Sequence, residues 1–194
     1  STANYLRLEE SGRFDASEPA RSVLTVAPPA AFGFLTEFPG KIASDKSFLT
    51  VPHGQKLSWI GGDLTILNSR LTVGKEVKNA DGKVVGWSPG GGGINLVSVA
   101  AVGEVPVLPE ELAEGTFSKF GHIAIADNTV GEANESRRYA NVDASGVGGG
   151  KIYIRGGQIT LDNGYVFADT WGNLGGQGIS VKAQEKLAMQ NGAR

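Results

Sequence analysis

Short runs of alternating apolar and polar residues, parted by glycine clusters, set the pattern of this chain. KIYIR at 151–155, QITL at 158–161 and GISVK at 178–182 place an apolar side chain at every second position: Ile152 and Ile154, Ile159 and Leu161, Ile179 and Val181. Period two predicts strands with one face buried and one face wet. The glycines before each run supply backbone angles that other residues resist, so the chain can turn sharply between flat segments. The same phrase occurs earlier, where Gly61-Gly62-Asp63 leads into LTI, Gly90 to Gly93 into INLVSV, and Phe120-Gly121 into HIAIA. Its leading residues, Leu64, Ile94, Ile123, Ile152 and Ile179, recur about every 30 residues, a step that signals a stacked repeat. A strand repeat of this kind buries its apolar side only against its neighbours. The expected inner row is Leu64, Ile66, Ile94, Leu96, Ile123, Ile125, Ile152, Ile154, Ile179 and Val181, with Ile94, Ile123 and Ile152 in one column. A second short apolar segment follows each lead: Leu71 and Val73, Val142, then Val166 with Phe167.

Upstream of the repeat, ANYLRL (3–8), SVLTV (22–26), SFLTV (47–51) and QKLSWI (55–60) are strand-like, the last two parted by Pro52-His53-Gly54. APPAAFGFL at 27–35 is blocked from helix by its prolines and is read as a corner or a packed plug. Insertions interrupt the repeat at 74–90, 103–119 and 127–140. The first is a hairpin by its Asp81-Gly82 turn signal, and the second contains a helical turn starting at Pro109. A single domain is expected over 1–182. Residues 183–194 (AQEKLAMQNGAR) have the one helical composition in the chain and are expected to form a cap helix or a tail.

Composition narrows the classes. The 194 residues suffice for one sizeable core, and 29 glycines without a collagen period point to turns. A net charge of −2 leaves no electrostatic footprint for nucleic acid. With no cysteine there is no disulfide or thiolate chemistry, and no apolar run approaches a membrane span. The opening STANYLRL carries no signal-peptide pattern, as in a mature chain or an excised piece.

Chemical motifs are sparse. Gly86-Trp87-Ser88-Pro89-Gly90 matches the spacing of a nucleophile elbow, but proline follows the serine where a backbone N–H is required, and glycines follow where a helix is required. Gly82-Lys83 and Gly150-Lys151 lack the Ser or Thr and the upstream glycine of a phosphate loop. His53 and His122 have no second ligand at metal spacing, so neither a metal nor a cofactor is assigned. Asp143, Asp162 and Asp169, with Lys151 and Arg155, are the set a polysaccharide-cleaving β-helix enzyme would need on one face; closing turns is the competing role for the acids. Trp59, Trp87 and Trp171 are candidate sugar platforms. Covering apolar strands or corners is the favoured role for Trp59 and Trp171, while Trp87, on an insertion, stays open between the two. Arg137-Arg138-Tyr139 is a loop segment suited to an acidic partner, and Asn134-Glu135-Ser136 fits the glycan-acceptor pattern. Trp87, Arg137, Arg138 and Tyr139 are thus the candidate partner-binding residues. No catalytic residue is assigned.

Four stretches, FDASEPARSVLTVAPPAAFGFL, LTVPHGQKLSWIGGDLTIL with RLTV, GGGINLVSVAAVGEV, and VDASGVGGGKIYIRGGQITLDNGYVFADTWGNLGGQGISV, resemble the filamentous-haemagglutinin-type exoproteins of two-partner secretion. The resemblance covers roughly residues 4–183, in matching order. It implies an all-β fold, a right-handed parallel β-helix, exported through an outer-membrane β-barrel transporter to the Gram-negative cell surface or medium. It also implies a non-enzymatic role in adhesion to a host or neighbouring-cell glycan or protein, or as an extracellular structural element. The amino-terminal secretion domain of that family is not recognisable here, and the 74–90 insertion lengthens a loop that the family keeps short. A self-assembling filament subunit, a homopolymer joined by strand addition or end stacking, is the structural alternative. The polysaccharide-active enzyme is the catalytic one.

Overall fold

The computed structural model describes residues 1–74, 76–78, 80, 81, 83–87, 92–127 and 140–194. Almost all regular structure is strand. In chain order the strands are β1 (Tyr5–Leu8), β2 (Arg13–Asp15), β3 (Pro29–Phe34), β4 (Ile42–Asp45), β5 (Phe48–Val51), β6 (Lys56–Gly61), β7 (Leu64–Leu67) and β8 (Arg70–Val73). There follow β9 (Glu76–Lys78), β10 (Val84–Trp87), β11 (Gly93–Ser98), β12 (Gly103–Pro106), β13 (His122–Ala126), β14 (Val142–Asp143), β15 (Lys151–Asp162), β16 (Val166–Phe167) and β17 (Ile179–Gln190). Among the described residues the only helical pieces are 3-10 turns at Pro19–Arg21 and Pro109–Glu111, the second of them at the predicted proline.

Three parallel ladders are built from strands far apart in sequence. The first joins β6, β11, the leading half of β15 and the leading half of β17. The second joins β4, β7, β13 and the trailing halves of β15 and β17. The third joins β5, β8, β14 and β16. Apart from one shift between Gly156 and Gln158, where β15 and β17 pass from the first ladder to the second, the register holds along each ladder and like residues stack. Leu57, Ile94, Ile152 and Ile179 form one column and Trp59, Leu96, Ile154 and Val181 the next. The second ladder stacks Ile42, Leu64, Ile123, Ile159 and Leu187, and the third stacks Leu49, Leu71, Val142 and Val166. The inward residues of all three ladders meet in one aliphatic core. Burying a side chain of this size contributes about 1.5–3 kcal/mol, so each added layer offsets part of its own ordering cost.

Two corners show how the chain turns between ladders. At the entry to the first ladder, Lys151 donates its backbone N–H to the Gly92 carbonyl at 3.1 Å, and Gly93 donates to the Gln55 carbonyl at 3.1 Å. A Cβ on Gly150 would lie 2.5 Å from the Gly92 carbonyl oxygen, so this corner stacks only if it is bare. At the exit from the second ladder, Lys46, Asn68, Asn163 and Asn191 sit at φ of 49°, 50°, 50° and 54°. Asparagine tolerates that left-handed conformation better than most residues.

A second, antiparallel sheet in the order β12-β3-β1-β2 covers part of the stack. Its Phe34 and Val105, with Leu112 and Phe117 from the 103–119 insertion and Phe120 just after it, bury the outward residues Ile60, Val97 and Tyr153 of the first ladder. β11 is therefore covered on both sides, and every residue of it is buried. Burial on both faces is the usual condition of parallel strands.

Several expectations need correction. Ile94, Ile123 and Ile152 do not share a column: Ile94 pairs with Ile152, while Ile123 pairs with Leu64 and Ile159 on the neighbouring ladder. The regular spacing arose because insertions lengthen one layer to about twice the length of an uninterrupted one, so the step jumps between ladders. The expected helix or tail at 183–194 is instead a strand, since β17 runs unbroken to Gln190 with Leu187 on Ile159 and Met189 on Leu161. Pairing along the open edge of β15 outweighs helical propensity, which is a weak prior. Ile179 and Val181, expected inside, are exposed because no strand lies beyond them among the described residues. Residues 27–35, read as a corner or plug, hold strand β3, inside the antiparallel sheet. Residues 22–26 form no strand beyond a single bridge from Val23 to Arg13.

The hairpin expected at 74–90 is present as the antiparallel pair β9–β10. Most of the 127–140 insertion lies outside the described residues.

Candidate functional site

Of the candidate partner-binding residues, Trp87 is the last residue of β10, opposite Glu76 in the hairpin ladder. Arg137, Arg138 and Tyr139 lie outside the described residues. Trp59 is buried in the core column beneath Leu96 and offers no platform to a sugar. Trp171 is half-exposed on the segment between β16 and β17.

The acids and bases weighed as an enzyme set are spread over different ladders. Asp143, on the third, accepts the Ser145 backbone N–H at 2.8 Å, closing a turn. Asp162, on the second, accepts from the Gln190 side-chain amide at 3.1 Å and from Asn191. Arg155, on the first, stacks 4.3 Å from the centroid of the Phe120 ring. Acid–base catalysis needs its groups within hydrogen-bond reach of one substrate, and each of these three is engaged by a different neighbour. His122 contacts Thr160 Oγ1 through Nε2 at 3.2 Å, and among the described residues no group of three His, Asp or Glu side chains is placed to hold a metal.

Two charged constellations escaped the sequence reading. On the antiparallel sheet, Glu104 accepts from Tyr5 Oη at 2.8 Å and from Arg7 Nε at 2.8 Å. Arg13 stacks 3.8 Å from the centroid of the Tyr5 ring and reaches Asp15 at 2.6 Å. Burial pushes the Tyr5 hydroxyl up, and its bond to Glu104 and the negative charge there add to the effect. The Glu18 backbone N–H holds Asp15 below the usual carboxylate range, with Arg13 contributing in the same direction. At a corner of the stack, Asp63 is held down first by the His122 backbone N–H, which it accepts at 3.0 Å, and then by Lys41 at 3.1 Å. Strand alternation puts Tyr5 and Arg7 on one face, and Arg13 and Asp15 on one face, but nothing in the sequence pairs either with Glu104.

Exposed apolar residues include Phe38 and Phe48 and two longer runs. Val23, Leu24 and Val26 lie on the segment after the first 3-10 turn, and Ile179, Val181, Leu187 and Met189 lie along β17. The Tyr153 hydroxyl is buried with no hydrogen-bond partner among the described residues, and burial raises its pKa. No protein-family model, no curated protein and no solved structure matches this chain.

Proposed function

We propose that the chain is a right-handed parallel β-helix that serves, without catalysis, as a secreted or cell-surface protein in adhesion or as an extracellular structural element. The observation that carries the reading is the stacking of in-register parallel strands on three ladders around one aliphatic core. Such a scaffold is rigid and repetitive, and its reach comes from stacking rather than from a cleft. Right-handedness follows from the strong preference of parallel crossovers for that hand. Specificity on a repetitive scaffold falls to its excursions, here 74–90, 103–119 and 127–140. The second of these is committed to covering the first ladder. The hairpin ending in Trp87 and the segment holding Arg137, Arg138 and Tyr139 are therefore the assigned contact regions for a surface glycan or protein. Export through an outer-membrane β-barrel transporter follows from the resemblance to two-partner secretion exoproteins.

The test is binding of the purified chain to immobilised glycans, extracellular-matrix proteins and intact cells. Saturable binding that falls on Trp87→Ala, or on joint replacement of Arg137, Arg138 and Tyr139 by alanine, supports the reading. Binding indifferent to both sets, or release of oligosaccharide from a polysaccharide by the unmodified chain, removes it.

A further inference from the structure

We propose that Arg155 and Lys182, with Lys151 on the same face, form a site for the anionic groups of an acidic polysaccharide. The inference rests on the reading of the chain as a binder of surface glycans, and it assigns the class of glycan. The site lies on the outward face of the first ladder, across β15 and β17.

Arg155 and Lys182 are register partners on neighbouring parallel strands. Ile154 points into the aliphatic core, so Arg155 beside it and Lys182 above point outward. Parallel strands lie about 4.8 Å apart, so two positive charges are stacked directly on each other. Like charges in that position are destabilising. Among the described residues no carboxylate answers them: the ion pairs engage Arg7, Arg13, Arg21, Lys41 and Lys56, and not Lys151, Arg155 or Lys182. Two acids on flanking segments are taken up elsewhere. Glu110 bonds Lys56 at 3.3 Å, and Glu185 accepts from the Gln158 side-chain amide at 3.0 Å. A local charge rule broken with no compensating partner inside the chain is what a binding position looks like.

Arg155 is also held in place. Its guanidinium lies 4.3 Å from the centroid of the Phe120 ring. Phe120 is fixed in the second core, and its backbone N–H donates to Gln184 Oε1 at 3.0 Å. A guanidinium stacked on a ring keeps its N–H edge available for paired hydrogen bonds to a carboxylate or a sulfate. Lys182 brings a second charge to the same group. Lys151 is four residues before Arg155 on the same outward face, about 13 Å along the strand, where it meets a further group of the same polymer. All three side chains are partly exposed. A line of cations suits an extended polyanion. On a chain of net charge −2, one short line favours a glycan acid, charged once per sugar unit or less, over duplex nucleic acid, charged about once per 1.7 Å of axis.

The test is binding of the full chain to immobilised heparin and polygalacturonate, with neutral dextran and duplex DNA as comparisons. Saturable, salt-sensitive binding to at least one acidic polysaccharide is expected, and none to dextran. Heparin alone assigns the group as sulfate, polygalacturonate alone as carboxylate, and both as anionic charge of either kind. Arg155→Glu and Lys182→Glu are each expected to weaken binding about tenfold or more. Lys182→Glu should also raise the urea midpoint, because Arg155 then faces a carboxylate, so its loss of binding cannot come from unfolding. Lys46→Glu changes the net charge equally and lies in the first layer of the stack, and it should alter affinity less than twofold. Absence of saturable binding to both acidic polymers overturns the proposal. So does an equal loss on Lys46→Glu, or tighter binding to duplex DNA than to either polysaccharide. Binding to cells or neutral glycans that falls on Trp87→Ala while neither acidic polymer binds sinks this site and leaves the adhesion reading standing.

Discussion

Tyr5 lies flat across Gly33, its register partner on β3, and its hydroxyl reaches past that strand to Glu104 on β12, 2.8 Å away. The glycine is what permits the reach, because a Cβ there would overlap the Tyr5 ring. Gly33→Ala is expected to destabilise the chain by about 1–3 kcal/mol through overpacking, read from urea denaturation. Tyr5→Ala in the same chain should recover part of that loss, because the two positions share one contact. Simple additivity of the two variants would show that the ring does not sit on Gly33.

Layer position should govern the cost of core truncation. Ile123 is fully buried between Leu64 and Ile159, whereas Ile179 is nearly half exposed. Ile123→Ala is expected to cost about 2–5 kcal/mol, and Ile179→Ala under about 1 kcal/mol. Equal costs in denaturant titrations would contradict the layered burial.

The left-handed corner at Asn163 makes a backbone prediction. Its φ is 50°, and its side-chain amide donates to the Asp127 carbonyl at 2.9 Å. A β-branched residue fits that conformation poorly, so Asn163→Val is expected to lose about 1–3 kcal/mol, the conformational cost and the lost hydrogen bond together. Asn163→Gly should lose less, since glycine removes the conformational part. Thermal unfolding of the two variants side by side gives the ranking, and a reversed order would mean that the corner is not built this way.

Acid and alkali should weaken the fold from opposite sides. Asp15 and Asp63 are held below the ordinary aspartate value, so the unfolded chain takes up protons first. Their contribution is complete above about pH 4 and is lost as the pH falls through the lower, folded value. Tyr5 and Tyr153 are shifted upward, so their contribution is present below about pH 10 and is lost as the pH rises beyond it. Unfolding midpoints taken across the pH range check both limbs. Asp63→Asn should flatten the acid limb, and Tyr5→Phe the alkaline one.

Strand identity was legible wherever alternation was clean: LTI, HIAIA, KIYIR and QITL all form strands with the expected residues inward. Layer register was less legible, because a period is readable only when loops are of equal length, and here the excursions after β8 and β11 lengthen single layers. A better ruler was present in the left-handed asparagines. Leu67-Asn68, Asp162-Asn163-Gly164 and Gln190-Asn191-Gly192 mark one corner in three layers, and the last of them identifies 183–190 as strand despite its helical composition. The second core also left a trace, since INLVSV is apolar in both phases, with Val97 and Val99 out of step with Ile94 and Leu96. Of the antiparallel sheet only β1 was legible, in ANYLRL; the pairing was not, as β12 on β3 joins segments separated by most of the first layers. Of the candidate site residues, only the backbone of Trp87 falls within the described structure, and its place on a hairpin strand agrees with the Asp-Gly turn signal in the sequence.

Cysteine cross-linking tests the stacked-layer account most directly, in a chain with no cysteine of its own. Thr65 and Ala124 are outward register partners on neighbouring strands of the second ladder, where strand spacing is about 4.8 Å. Thr65 and Asn95 would be partners if every phrase of the repeat formed one column. Oxidation of Thr65→Cys/Ala124→Cys is expected to give a rapid intramolecular cross-link, and Thr65→Cys/Asn95→Cys none. The opposite result, or efficient cross-linking of neither pair in the folded chain, would contradict the account.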